Sequence, residues 1–554
     1  MTRTLLAFFF ALALWLPYSK AQLISYELID NYTKTEIRSL ANAFFVPPGL
    51  LSYNYDIDAY KVLYKTVDPL GDTVQASGVF MVPINTTCGL PTATYQHGST
   101  SKKDNVPSRE NAEFFIGLFY ATNGFFMAQP DFIGLGDSPG LHPYVHSESQ
   151  AQAVVDLLRV GKEIAATEDE NQNNQLYLFG YSQGGHATMA AVKEIEEKYA
   201  NEFQITASNP MAGPYDLAGI QSNVIIDDVE YSTPAYLPYI MLAYNGIYDY
   251  LGFEMDEIFI SPYDTLLPPL FDGTMELGEI SELMPAIPNR VLQPALLDSF
   301  KNNLDHPFRR ALEDNELING WTPASPMRLT HCMGDDQIAF QNSVIAKDSF
   351  EARGATGIEI LDLGNSGHED CARLALVSGL AYFNRFYEAD NNILLNDTTI
   401  VNATNTSSMD GSISVQISGG SGDLMYLWSN GDTTAMISDL SSGEYTLTVS
   451  DPDACSATYT FTVGADISTS TQDLQASPLK VFPNPTRDLL NIQLPNPGLR
   501  STIQLIDAQG RVVKRLENIR DANLEWSMRE LAAGIYWLDL RQDKGHWMQK
   551  VVVW

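Results

Sequence analysis

The sequence predicts an α/β fold class: a mostly parallel sheet flanked by helices, interrupted by a helical cap insertion, then two small all-β sandwich domains. Three observations carry this. Residues 124–200 alternate apolar strand and amphipathic helix, the rhythm of a parallel sheet. That rhythm stops over residues 217–325 and resumes at Met327. Beyond residue 410 the chain reads as short alternating strands punctuated by Gly-bearing turns.

The bulk numbers bound what such a chain can do. At 554 residues it exceeds one core and calls for several domains. A formal charge of -35 argues against nucleic acid and anionic membrane as partners, because both would repel it. Neither H-E-x-x-H nor paired C-x-x-C occurs, so no metal site and no cofactor is expected. Residues 1–21 have the form of a signal peptide: Arg3, a short apolar core from Leu5 to Leu16, and Ser19-Lys20-Ala21 before Gln22. No run approaches the ~20 apolar residues of a membrane span, so the mature chain is expected to be exported without a transmembrane segment.

Taken in order, residues 22–82 read as an N-terminal arm and a hairpin, with strands over 60–66 and 74–82 and a turn at Asp68-Pro69-Leu70-Gly71-Asp72. A strand over 93–96 ends at His97-Gly98-Ser99-Thr100, and one over 124–130 at Asp131-Phe132-Ile133-Gly134. Asp131 is expected to brace that loop. Residues 147–165 form a helix, with Ala151, Val154, Val155, Leu158 and Val160 on its apolar face. The apolar run 176–179 leads into Gly180-Tyr181-Ser182-Gln183-Gly184-Gly185-His186 and a helix beginning near Ala187. After a strand over 203–208 comes the insertion. It holds Tyr236, Ile240, Tyr244, Ile247, Tyr248 and Leu251 at helical spacing, and is expected to lie above Ser182 as a lid. Strands over 327–333 and 358–363 and a helix over 372–387 complete the unit.

Strand, G-x-S-x-G and helix together are the context of a nucleophile elbow, which exposes the Ser182 hydroxyl at the top of a sheet. A serine needs a base, and the base needs a carboxylate to orient it. In chain order the carboxylate and then the histidine follow this serine. Of eight histidines, His97, His142 and His146 precede it; His186 is on the elbow helix, His306 in the insertion, His331 in a strand and His546 far downstream. His368, in a Gly-rich loop after the last strand, remains. Asp335 and Asp336 both qualify as the acid. The pattern Asp-x-Ile/Val favours Asp336, with Asp335 expected to face solvent and Asp362 the outside candidate. The N–H of Gln183 is one expected oxyanion donor, and the loop at His97-Gly98 the source of the other. Cys332 and Cys371 flank the acid and the base, so contact between those side chains brings the two thiols within disulfide reach. Cys88 and Cys455 fall in different domains and are expected to be free or buried.

Residues 55–390 resemble secreted α/β-hydrolases of the lipase and esterase group. The resemblance is carried by Tyr95-Gln96-His97-Gly98-Ser99, the run from Gln129-Pro130-Asp131 to Asp137-Ser138 with Leu141-His142-Pro143-Tyr144, Gly180–His186, Gly334-Asp335-Asp336 and Gly367-His368. It implies an ester or lipid substrate, no cofactor, Ser182 as nucleophile, Asp336 as acid, His368 as base, and Gln183 with Ser99 in the oxyanion hole.

Two further resemblances lie downstream. Gly419-Gly420, Trp428-Ser429-Asn430-Gly431 and Gly443-Glu444-Tyr445-Thr446 are similar to the SprB-type repeat of surface adhesins. Val481-Phe482-Pro483-Asn484-Pro485, Gly510-Arg511, Ala533-Gly534-Ile535-Tyr536 and Lys550-Val551 resemble the C-terminal sorting domain of type IX secretion. That resemblance implies the type IX secretion machinery as partner and a secreted or cell-surface attached product. The expected organisation is a signal at 1–21, a hydrolase domain at 22–390 with its cap at 217–325, a linker at 391–410, a β-sandwich repeat at 411–465, a linker at 466–477 and a sorting domain at 478–554. Two other functions are consistent with the residues: a secreted serine peptidase on the same fold, and a surface adhesin whose hydrolase domain is vestigial.

Overall fold

The computed structural model describes residues 22–44, 46–47, 49–84, 86, 89–387, 393–420, 422–452, 455–465, 479–543 and 545–554. The expected signal at 1–21, the linker at 466–477 and Cys88 lie outside the described residues. The chain divides into two compact units, the first ending at Ala465.

The first unit is built on a nine-stranded mixed sheet. Its strands are β1 (Gln22–Tyr32), β2 (Asp56–Val67), β3 (Thr73–Ile84), β4 (Leu90–Gln96), β5 (Phe126–Pro130), β6 (Gln172–Tyr181), β7 (Ile205–Met211), β8 (Met327–His331) and β9 (Ile358–Asp362). They are ordered β1-β2-β3-β5-β4-β6-β7-β8-β9. Pairing is antiparallel from β1 to β5 and parallel from β5 to β9. The stretch read as an arm is thus largely an edge strand, β1, followed by helix α1 (Lys34–Ala43). The hairpin lies where expected, with Val67 opposite Thr73.

Both faces of the parallel half are covered, so its strands are apolar on both sides. Along β6, Leu176 and Leu178 join one core and Tyr177, Phe179 and Tyr181 the other. This is the two-residue alternation of a pleated strand. The second core includes Phe114, Leu118 and Tyr120 of α2 (Phe114–Ala121) and Phe383 of the helix His368–Phe383. The first includes Val154 and Leu158 of α3 (Ser147–Thr167) and Ala187 and Val192 of α4 (Gln183–Lys198). From β4 the chain runs to β5 on one side, then crosses by α3 to β6 on the other. The carboxyl ends of β4 and β6 therefore bound the crevice where ligands bind in such sheets.

The insertion between β7 and β8 has its own core of Tyr239, Tyr244, Ile258, Phe259, Ile280 and their neighbours. Its helices include α5 (Ser222–Ile226) and α6 (Tyr236–Ile247), which carries most of the aromatic stripe read from the sequence. Pro238 sits in the first turn of α6, where no intrahelical bond is lost to it. Tyr248 caps this helix, so the predicted periodicity through Leu251 ends one turn early.

At the two crossings between insertion and sheet, Asp216 caps the turn Leu217–Gln221 and Glu316 accepts the Ala218 N–H at 3.1 Å. Burial, then the neighbouring Asp216, pushes the Glu316 carboxyl up to about 7. The folded chain thus holds a proton that the unfolded chain releases near an ordinary carboxyl pKa of about 4.3. Stability from this group is complete below that value and is lost as pH rises to about 7. Thermal unfolding of wild type and Glu316→Gln side by side between pH 4.5 and 8 should show the variant gaining Tm relative to wild type as pH rises through this window.

After the sheet, two three-stranded sheets share a core around Ile413, Trp428, Leu447 and Val449. One of these strands, Leu394–Val401, pairs antiparallel with Gly411–Ser418. Much of the stretch read as a linker at 391–410 is therefore a strand, and this module begins before residue 411. The second unit contains a three-stranded and a four-stranded antiparallel sheet around Leu490, Ile492, Ile503 and Leu538.

Candidate active site

Strand β6 ends at Tyr181 and α4 begins at Gln183, leaving Ser182 alone to make the turn. Its backbone pays with φ 62° and ψ -121°, a conformation that L-residues adopt only when their surroundings force it. The Ser182 N–H donates to the Met211 carbonyl at 3.0 Å, which anchors the turn to β7. Glycine is needed at the flanks. A Cβ on Gly180 would lie 2.6 Å from the Gln96 carbonyl oxygen, and one on Gly184 would overlap that same oxygen.

Ser182 and His368 line one pocket with Tyr95, Gly98, Ser99, Glu113, Tyr181 and Tyr236. His368 opens the helix His368–Phe383, and its carbonyl accepts the Tyr181 hydroxyl at 2.7 Å. The rings of these two residues lie 4.9 Å apart.

The carboxylate on the imidazole corrects the sequence reading. His368 Nδ1 lies 2.7 Å from Asp335 Oδ2, whereas Asp336 Oδ1 accepts the His368 backbone N–H at 2.8 Å. Asp335 does not face solvent; its side chain is buried. The turn chooses between them. Asp335 Oδ1 accepts the N–H groups of Gln337 at 2.9 Å and Ile338 at 2.8 Å, which aims Oδ2 at the imidazole. Asp362, at the end of β9, accepts from the Gly364 and Met333 N–H groups. Burial alone would raise the Asp335 carboxyl, but hydrogen bonds from His331 and His368 outweigh it. They hold it well below the usual carboxylate range, so Asp335 stays ionised wherever an imidazole ordinarily titrates. His331 Nε2 lies 3.2 Å from the same oxygen, an involvement the sequence reading missed.

The loop after β4 meets the elbow because β4 and β6 are neighbours in register, Gln96 opposite Gly180. As first residue of α4, Gln183 has an N–H with no intrahelical acceptor. The Ser99 hydroxyl lies 2.9 Å from that of Tyr144, and the Gly98 N–H donates to Glu113 at 3.0 Å. Glu113 also accepts the Tyr95 hydroxyl at 2.6 Å. Asp131 is fully buried, accepting from the Ser77 hydroxyl at 2.6 Å and the Ser108 N–H at 3.0 Å. Its carboxylate thus braces its loop.

The model of the secretory lipase family matches residues 111–240, which include Ser182 but neither Asp335 nor His368. A Legionella pneumophila protein assigned as a hydrolase aligns at 27% identity and a TM-score of 0.62, over 66% of this chain and 98% of its own. The rice cell wall degrading esterase LipA from Xanthomonas oryzae aligns at 26% identity and 0.59, with the same coverage. Candida antarctica lipase A in its closed state, at 14% identity and 0.52 over 66% and 82%, shares the fold. In sequence and fold this domain is similar to ester hydrolases. No protein of curated function matches the chain. The model of a secretion system C-terminal sorting domain matches residues 480–554, which marks the protein for secretion and attachment at the cell surface. Among the described residues no helix is long and apolar enough to cross a membrane.

Cys332 and Cys371 form a disulfide with Cα atoms 6.0 Å apart, tying the loop that carries Asp335 and Asp336 to the helix that begins at His368. Cys455 is buried, and no described cysteine is a free thiol. The bridge spans 39 residues, and loop closure of that length is worth on the order of 4 kcal/mol. Cys332→Ser with Cys371→Ser should lower unfolding stability by about that amount, read by denaturant titration.

His142 and His186 have structural duties. His142 Nδ1 donates to the Ile133 carbonyl at 2.7 Å, so its Nε2 accepts from Gln183 Nε2 at 2.6 Å. Burial pushes His142 down to about 3 and His186 to about 4, so both are neutral. His186 Nδ1 lies 2.9 Å from Gln150 Oε1. Among the described residues no cluster of metal-ligating side chains occurs.

Proposed function

We propose that this protein is a cell-surface serine ester hydrolase of the α/β-hydrolase fold, with Ser182, His368 and Asp335 as its triad. One observation carries the reading. A serine held at φ 62° shares a pocket with a histidine whose Nδ1 is engaged by a buried, ionised carboxylate. Engagement of Nδ1 fixes its proton there and leaves Nε2 as the base. Ser182 attacks the ester carbonyl while His368 takes its proton and returns it to the departing alcohol. Water then cleaves the acyl-enzyme by the same route. The N–H groups of Gln183 and Ser99 receive the oxyanion, each contributing about 3 kcal/mol.

The cap supports an acyl substrate. Beside α6, whose first residue Tyr236 lines the Ser182 pocket, lies an apolar cleft walled by Leu237, Ile240, Met241, Leu296, Phe300 and Phe308. We assign the hydrolase domain to residues 22–390 with its cap at 217–325, and the following six-stranded module to an adhesin repeat of SprB type. One observation favours a peptidase on the same machinery: the carboxyl side chains lining the Ser182 pocket are Glu113 and Glu369, the sign that a peptide ammonium terminus needs. Glu113 is already occupied by Tyr95 and Gly98, and Glu369 accepts from Gln337 Nε2 at 3.2 Å, so both carboxylates have partners of their own.

A panel of p-nitrophenyl esters from acetate to palmitate, run beside aminoacyl-nitroanilides, tests both readings. Turnover of esters with anilides at background is expected. Anilide cleavage at comparable kcat/KM would make the protein a peptidase.

A further inference from the structure

The loop expected to bind the oxyanion is held from three sides, and one holder is a histidine with no place in the triad. His97 is 1% exposed. Its Nδ1 lies 2.7 Å from the carbonyl oxygen of Gly98, the next residue, and its Nε2 lies 3.1 Å from the Asp131 carbonyl. Both partners are acceptors. The neutral ring with its proton on Nδ1 makes the shorter bond, and a doubly protonated ring makes both. The Phe132 ring packs 4.6 Å away, centroid to centroid. The Asp131 carboxylate behind it is fixed by Ser77 and Ser108.

The consequence lies in the peptide that His97 grips. In a planar trans peptide the carbonyl of one residue and the N–H of the next point in opposite directions. Fixing the Gly98 carbonyl therefore fixes the Ser99 N–H. The preceding peptide is fixed as well, since the Gly98 N–H donates to Glu113, and the Ser99 hydroxyl is held by Tyr144. Glycine at 98 gives the loop a soft backbone, which makes such restraints necessary. We propose that His97 is a positioning residue: by donating from Nδ1 to the Gly98 carbonyl it aims the Ser99 N–H at the oxyanion that forms on the Ser182 ester adduct.

This inference rests on the ester-hydrolase reading, and its test separates the two. Asparagine can place an N–H where His97 has Nδ1; glutamine places one where it has Nε2. In the full chain, with active sites titrated by a fluorescent phosphonate, His97→Asn should keep kcat for p-nitrophenyl butyrate within about threefold. His97→Gln should lose about ten- to a hundredfold in kcat with KM within about twofold, because a misdirected oxyanion donor costs transition-state and not ground-state binding. Equal losses in the two variants, or a loss carried by KM, would overturn the proposal. If His97→Gln does not fold, His97→Asn decides alone: a folded variant down more than about tenfold refutes it. Ester activity that survives Ser182→Ala would sink the parent reading, and this proposal with it, whatever the His97 variants do.

Discussion

Asp335→Asn is expected to lower kcat for ester hydrolysis about 10⁴-fold, while Asp336→Asn costs no more than about tenfold. The asymmetry follows from what each carboxylate touches. Asp335 Oδ2 receives His368 Nδ1–H, and an amide nitrogen there would offer a second donor. The imidazole would then move its proton to Nε2, the wrong nitrogen for a base facing Ser182. Asp336 instead accepts the His368 backbone N–H, which the amide oxygen of asparagine can still do. Measuring kcat for both variants decides the assignment. Equal losses, or the larger loss at Asp336, would return the acid to residue 336.

Gly184→Val should remove activity for a steric reason, without touching a reacting atom. A Cβ at 184 would overlap the Gln96 carbonyl oxygen and come within 2.8 Å of the His97 carbonyl oxygen, both backbone atoms. The loop after β4 must retreat from the elbow, taking the Ser99 N–H with it. A displacement near 1 Å is enough to cost about 10²-fold in kcat/KM. The added strain should also lower stability by roughly 1–3 kcal/mol. Steady-state kinetics with a parallel thermal melt checks both effects. Full activity would mean that the elbow and the donor loop are not packed as described.

The site was legible where chemistry is rare in the sequence. One G-x-S-x-G in a strand-to-helix context and eight histidines sufficed to single out Ser182 and His368 as candidates, and the structure puts both in one pocket. The carboxylate on the His368 imidazole lies one residue before the one the sequence favours, because two adjacent aspartates share a loop. What selects Asp335 is its Oδ1 bonding the N–H groups two and three residues ahead, a turn that the Asp-x-Ile/Val pattern does not encode. The available signal was positional. An aspartate bonding forward into its own turn is a common local structure, and His331 lies four residues before Asp335.

The fold was legible where one face or both were apolar. Strand β1 escaped because it lies at the sheet edge with most of its residues exposed, leaving no alternation to read. The strand Leu394–Val401 was outvoted by its polar neighbours, although Thr398-Thr399-Ile400-Val401 is a β-branched run. Glu113 and Tyr144 were invisible as site residues, since each acts through a partner distant in sequence.

The central claim is that Ser182 is the nucleophile, and covalent capture tests it most directly. The full chain, treated with a p-nitrophenyl alkylphosphonate and digested, should yield one adduct, on the peptide containing Ser182, in step with loss of esterase activity. Ser182→Ala should give neither adduct nor activity. An adduct on another residue, or ester turnover that persists in Ser182→Ala, would contradict the account.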